Sequence, residues 1–265
     1  MDRPDKEYGT GNKDIDQKID ALISEIGVKD TTGFARDIVV SSIKITLESH
    51  DTYDLNLVNT ALKEIRYGFK VFSAYRNIRK VLIFGSARSS SSSPEYKLAK
   101  DFAARMCERG YMAVTGGGPG VMEAGNRGAP EGKDFALNIR LPFEQKPNPY
   151  VSTEDKLINF KYFFTRKLFF VKETDATAVF PGGFGTLDEC FEMLTLVQTG
   201  KAKPRPIVLM EPEGMSFWSD CLKFIKNHLS DGGYISEEDS HLYTIASTVD
   251  EGISCIESFY RVYHS

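Results

Sequence analysis

The sequence predicts an α/β protein: a mostly parallel sheet with helices between its strands, preceded by a helical segment. From Lys80 onward, short β-branched runs, each followed by glycine or serine, alternate with helix-length amphipathic stretches. That alternation is the mark of βαβ units. Before Lys80 the apolar residues recur only at helical spacing. With 265 residues, 41% hydrophobic and 26% charged, the chain suffices for one large domain, or one domain plus an appendage.

Residues 1–14 are polar, contain two glycines and lack an apolar period, so a mobile tail is expected there. Three helical patterns fill residues 15–79: Ile15, Ile19, Leu22 and Ile23; Phe34, Ile38, Val39 and Ile43; and Leu55, Leu57, Val58, Leu62, Ile65, Phe69 and Phe72. Within 80–265, strands are expected at 81–84, 112–115, 135–139, 176–180, 207–210 and 242–246. Helices are expected at 94–109, 121–129, 159–172, 186–199, 215–229 and 249–263. Ligands of open parallel sheets collect beyond the carboxyl ends of the strands, which directs attention to the turns after Phe84, Thr115, Ile139 and Phe180. The five serines Ser89 to Ser93 fall between a strand and a helix and read as a mobile loop at the rim of that site.

A net charge of −4 offers no electrostatic footprint for a nucleic-acid polymer, while a local basic cluster still suits one small anion. No run approaches the roughly 20 apolar residues that span a bilayer, and the N-terminus lacks a signal-peptide core. A cytoplasmic protein without membrane partners is expected. Cys107, Cys190, Cys221 and Cys255 are scattered, each in a helical stretch, and read as reduced thiols; their spacing suits no zinc site. The four histidines, His50, His228, His241 and His264, lie outside the strand-end turns, so neither a histidine base nor a metal is expected.

The strongest chemical signal is Pro181-Gly-Gly-Phe-Gly-Thr-Leu-Asp-Glu189, between the apolar strand ending at Phe180 and a helix. Three glycines in four positions permit positive φ and close approach of a ligand to the backbone, and Thr186 reads as an N-cap or hydroxyl donor. Free N–H groups and the helix dipole then make an anion cradle fit for phosphate. A second cluster, Gly116-Gly-Gly-Pro-Gly-Val-Met-Glu123, lacks the Gly-Lys-Ser/Thr of a Walker loop and suggests a second loop facing the same cleft. Arg166 and Lys167 interrupt a segment with six aromatic residues, where cations need an anion or an exit to the surface. Arginine can hold an oxyanion with two parallel hydrogen bonds. Of the carboxylates, Asp188 and Glu189 fall in the first helical turn. Glu189 is expected to point toward the sugar while Arg166 offsets its charge; Glu144 sits past another strand end within reach of the same cleft. Ser86 lies in Phe84-Gly-Ser-Ala-Arg88, which is no nucleophile elbow.

These motifs resemble those of the LOG (Lonely Guy) family, long labelled "lysine decarboxylase-like", whose mark is Pro-Gly-Gly-x-Gly-Thr-x-x-Glu. The mark is complete in this chain, and the resemblance runs from about Lys80 to the C-terminus, taking in Phe84 to Arg88, Gly116 to Glu123 and Thr165-Arg-Lys167. It implies a Rossmann-like, doubly wound fold and a phosphoribohydrolase that cleaves the N-glycosidic bond of a nucleoside 5′-monophosphate, AMP or a cytokinin riboside monophosphate, to free base and ribose 5-phosphate. No cofactor is implied. Carried across, Gly182, Gly183, Gly185 and Thr186 hold the phosphate and Arg166 with Glu189 form the catalytic pair. Glu144, Lys167, Phe184, Leu187, Asp188 and Thr195 line the ligand, joined by Ser86 and Gly118. The resemblance also implies a homodimer or higher homo-oligomer, and the helices before Lys80 mark a long-form member. Related folds carry molybdenum cofactor without chemistry, which leaves a non-catalytic nucleotide or cofactor carrier as the rival. Amino-acid decarboxylation needs a pyridoxal-phosphate lysine, for which Lys167 has no supporting site.

Overall fold

The computed structural model describes residues 8–27, 29–141, 146–151 and 154–263. It divides into two compact units, residues 1–63 and 64–265. The first contains α1 (Lys13–Ile26), α2 (Phe34–Glu48) and most of α3 (Thr52–Phe72), whose last turns belong to the second unit. Asn12 caps α1 by accepting the N–H groups of Asp14 and Ile15, and Gly27 ends it in the left-handed conformation. Arg36 of α2 pairs with Asp20 of α1 at 2.6 Å. Of the segment expected as a tail, residues 1–7 lie outside the described residues; Thr10 donates to Asp16, and α1 begins at Lys13.

In the second unit the strands are β1 (Lys80–Phe84), β2 (Met112–Thr115), β3 (Asp134–Ile139), β4 (Leu157–Phe160), β5 (Ala176–Val179), β6 (Ile207–Met210) and β7 (Thr244–Ala246). They form one parallel sheet in the order β4-β3-β2-β1-β5-β6-β7. The intervening helices are α4 (Pro94–Glu108), α5 (Val121–Gly128), α6 (Phe163–Glu173), α7 (Phe184–Gln198), α8 (Phe217–Phe224) and α9 (Val249–Tyr263). Period-two alternation splits β1, β2, β5, β6 and β7 between two cores. Val81 and Ile83 face Phe102, Met106, Val121 and Ile253 of α4, α5 and α9. Leu82 and Phe84 face Phe72, Phe169, Phe170, Met193 and Trp218 of α3, α6, α7 and α8. The fold is therefore α/β, Rossmann-like and doubly wound, and its topological switch falls between β1 and β5.

Three expectations about elements need correction. The helix expected from Asn159 begins only at Phe163, because Leu157–Phe160 is an edge strand in register with Ala136–Ile139. The stretch expected as one helix over 215–229 is α8 followed by a wider helical turn at Ile225–Ser230. The serine run is bonded into the start of α4: Ser93 accepts the Tyr96 N–H and Ser89 donates to Glu95 at 2.7 Å. All four cysteines are free, with Cys107 and Cys190 buried. No helix among the described residues is long and apolar enough to cross a membrane.

Candidate active site

The switch point brings three loops together through the backbone of one residue. Ser86, just beyond β1, donates its N–H to Pro181 O at 3.0 Å and accepts the Val121 N–H at 2.9 Å. It thus joins the turn after β5 to the start of α5. These approaches are close enough to demand glycine. A Cβ on Gly120 (φ +68°) would lie 2.2 Å from Ser86 O, and one on Gly182 would lie 2.2 Å from Thr186 Oγ1. A buried polar network holds the second glycine loop: Thr115 Oγ1 donates to Asn126, Asn126 to Asp134, and Asn148 to both Asn126 and the Gly118 carbonyl.

These loops enclose a cavity of about 710 Å³. Gly182, Gly183, Phe184, Gly185, Thr186 and Leu187 line it together with Arg166, Glu189, Ser86, Arg88 and Met122. The anion cradle takes a different form from the one expected. Helix α7 starts at Phe184, two residues earlier than anticipated, so Gly183 is the N-cap and Thr186 lies inside the first turn. None of Gly182, Gly183 and Gly185 has positive φ. No side chain caps α7, so its first N–H groups open toward the cavity. A Cβ on Gly183 or Gly185 would meet no protein atom within 4 Å. Packing therefore does not demand glycine at these two positions.

Arg166 and Glu189 meet across α6 and α7, with Arg166 Nη2 donating to Glu189 Oε1 at 2.8 Å and both side chains largely buried. The guanidinium lies 5.1 Å from the Phe163 ring centroid and 5.3 Å from that of Phe170. Burial pushes the Glu189 carboxyl up to about 7, against the pull of Arg166 and Lys167. Glu189 thus exchanges its proton near neutrality, where general acid–base chemistry is most efficient.

Not every expected site residue lines this cavity. Lys167 bonds instead to Asp188 at 2.7 Å and Glu192 at 3.0 Å. Burial opposes its charge, but those two carboxylates prevail and hold its ammonium above the ordinary value. Asp188 and Lys167 therefore neutralise one another beside the site. Thr195 donates to Phe191 O and lines a separate cavity of about 160 Å³. Gly118 contributes a carbonyl to Asn148 and is no part of the lining. Glu144 lies outside the described residues. Sequence reasoning missed Arg88 and Met122 as lining residues, although both stand within motifs already singled out.

A family model described as possible lysine decarboxylase matches residues 120–256, from the second glycine loop through α9. The cytokinin riboside 5′-monophosphate phosphoribohydrolase LOG2 of Arabidopsis thaliana is 25% identical over 183 residues, covering 68% of this chain and 84% of that protein. The cytokinin riboside 5′-monophosphate phosphoribohydrolase LOG of Oryza sativa subsp. japonica is 27% identical over 190 residues, covering 70% and 75%. Among solved structures, the molybdenum cofactor binding protein of the phototrophic bacterium Rippkaea orientalis superposes with a TM-score of 0.48 at 20% identity, covering 69% of this chain and 98% of that one.

Proposed function

The chain belongs to the LOG-type family of the possible lysine decarboxylase model, and on that premise we propose that it hydrolyses the N-glycosidic bond of a nucleoside 5′-monophosphate, AMP or a cytokinin riboside 5′-monophosphate. The observation that carries this reading is the placement, in one cavity, of an uncapped helix N-terminus beside a buried carboxylate–guanidinium pair. The first feature suits a phosphate. The second suits a positive charge developing nearby.

In this reading the 5′-phosphate rests on the N–H groups of Gly183, Phe184, Gly185 and Thr186. Charge accounting names its counter-ion. Arg166 is already paired with Glu189, and Lys167 with Asp188 and Glu192. Arg88 is the remaining cationic side chain among the described lining residues, and no carboxylate there lies within 4.0 Å of it. We therefore assign it to the phosphate, as a charge-assisted hydrogen-bond donor. The ring of Phe184, 93% exposed at the first position of α7, offers the base a stacking surface.

Anchoring the phosphate fixes the ribose against Glu189 and converts binding energy into orientation. As the bond from C1′ to the base breaks, positive charge spreads over C1′ and the ring oxygen. The Glu189 carboxylate faces that charge and orients the attacking water. The water oxygen then takes the place of the base at C1′, and its proton balances the departing nitrogen. Arg166 favours the ionised form of Glu189 and holds it in position. Exposed Phe163, Phe164 and Leu168 on α6 and Phe191 on α7 suit a homodimer or higher homo-oligomer.

The test is adenine release from AMP by wild type, Glu189→Gln and Arg166→Ala. Loss of at least ~100-fold in kcat for each is expected for groups acting on transition-state charge. Undiminished release by both variants would sink the assignment. A non-catalytic carrier would instead retain a phosphorylated pterin through purification and release no base.

A further inference from the structure

A second cavity, of about 620 Å³, lies at the other end of the sheet, where β1, β5 and β6 begin. Its lining is basic: Arg79, Lys172, Lys201, Lys203 and Arg205 face a single carboxylate among the described lining residues, Asp175. That carboxylate is already occupied, since its Oδ2 accepts the Lys80 N–H at 2.8 Å and its charge lies near the buried Lys80 ammonium. Lys172 is paired with Glu173. Lys201, Lys203 and Arg205 have no carboxylate within 4.0 Å among the described residues. In a chain of net charge −4, the exposed Lys201 and Lys203 and the half-buried Arg205 concentrate positive charge at one cavity, which suits an anion.

The spacing of these cations indicates which anion. Lys201, Lys203 and Arg205 occupy alternate positions of the connection entering β6. Each is separated from the next by up to about 7 Å of chain. One phosphate meets one or two such cations; a chain of phosphates meets all three. The far wall carries Tyr260, its ring covered by Arg79 at 4.1 Å, and the half-exposed Tyr263 stacked on Phe259. Tyrosine beside a run of cations suits a nucleoside polyphosphate.

The cavity is lined by α6, which carries Arg166, and by the connection that follows α7, which carries Glu189. Arg205 Nη1 donates to Val171 O at 2.8 Å and to Thr174 O at 2.7 Å, closing the C-terminal end of α6. Val171 lies five residues beyond Arg166, about 7.5 Å along the helix axis. Lys201 follows the last turn of α7, whose first turns carry Glu189. Both helices therefore run from the proposed catalytic cavity to the basic one.

We propose that this basic cavity is an effector site for a polyphosphate chain, that of a nucleoside di- or triphosphate, acting through the ends of α6 and α7. Anion binding here is independent of the reading given to the first cavity, whereas the effector role rests on it. Its test uses the full chain at low ionic strength, titrated calorimetrically with inorganic tripolyphosphate, ATP and AMP. Tripolyphosphate is expected to bind wild type and to bind Lys201→Ala/Lys203→Ala at least tenfold more weakly, with AMP affinity unchanged; the exposure of both lysines spares the fold. Tighter binding of ATP than of tripolyphosphate places the nucleoside on Tyr263, and equal binding means that the phosphate chain alone is read; either supports an anion site here. Amide exchange in α6 is expected to slow when tripolyphosphate binds. No binding, equal affinity in the double variant, or displacement of tripolyphosphate by stoichiometric AMP overturns the site. Unchanged exchange in α6 overturns its effector role.

Discussion

Arg166 Nη2 stands 2.8 Å from Glu189 Oε1, and both side chains are largely buried between α6 and α7. Removing one partner of a buried pair leaves the other charge without compensation, which costs roughly 3–5 kcal/mol when that charge persists. Arg166→Ala should therefore destabilise the protein strongly at pH 8, and less at pH 5, where Glu189 takes up a proton instead. Arg166→Ala/Glu189→Gln should recover part of the loss. Chemical denaturation of the four proteins at both pH values checks this; additive losses at pH 8 would show that the two groups are not energetically coupled.

Burial holds the Glu189 carboxyl at about 7, above its ordinary 4.5. Between those values the folded protein retains a proton that the unfolded chain has lost. Stability contributed by this group therefore declines as pH rises from about 4.5 to 7 and is level above. Subtracting the Glu189→Gln melting curve from that of wild type isolates this slope. A carboxylate whose pKa was depressed by its ion pair would give the opposite sign. If the carboxylate is the active form, kcat/KM for AMP rises with pH through about 7, and the Glu189→Gln variant lacks that limb.

Two glycines of the cradle should respond differently to the same substitution. In Gly182→Ala the new methyl would stand 2.2 Å from Thr186 Oγ1 and 2.9 Å from Ser86 N, so the loop must shift and the melting temperature fall. In Gly183→Ala it would meet nothing within 4 Å. That variant should melt like wild type yet raise KM for AMP about tenfold, the equivalent of about 1.4 kcal/mol of lost phosphate contact. Unchanged KM would mean that no ligand approaches Gly183.

Arg88→Ala should also leave the fold intact, since Arg88 is exposed and it is its backbone N–H that donates to Ser86 Oγ. Loss of a charge-assisted contact is worth roughly 1.5–3 kcal/mol, or more than tenfold in KM for AMP. Affinity for the free adenine base should not change. A variant with wild-type KM would remove Arg88 from the phosphate site.

Much of this was legible before any coordinates. The parallel sheet with helices between its strands follows from alternation that survives burial, because β-branched runs and amphipathic helices differ in period even in a single sequence. The pairing of Arg166 with Glu189 was also foreseeable, since a buried cation requires an anion. What escaped was set by tertiary contacts. β4 is four residues long, and its extended state depends on pairing with β3. Lys167 sits beside Arg166 in sequence, but successive helical residues point about 100° apart, and Lys167 turned to Asp188 and Glu192. Thr195 lies about three turns past the start of α7, too far along the helix to reach the cradle. Asn126, Asp134 and Asn148 come from three separate segments, and no local spacing announces the network that they form.

The most direct measurement is product analysis of AMP and adenosine incubated separately with the purified wild-type protein. Equimolar adenine and ribose 5-phosphate from AMP, with adenosine left intact, is the expected result, because only the monophosphate engages the α7 cradle that aligns the ribose with Glu189. Intact AMP, or adenosine cleaved as readily as AMP, would contradict it.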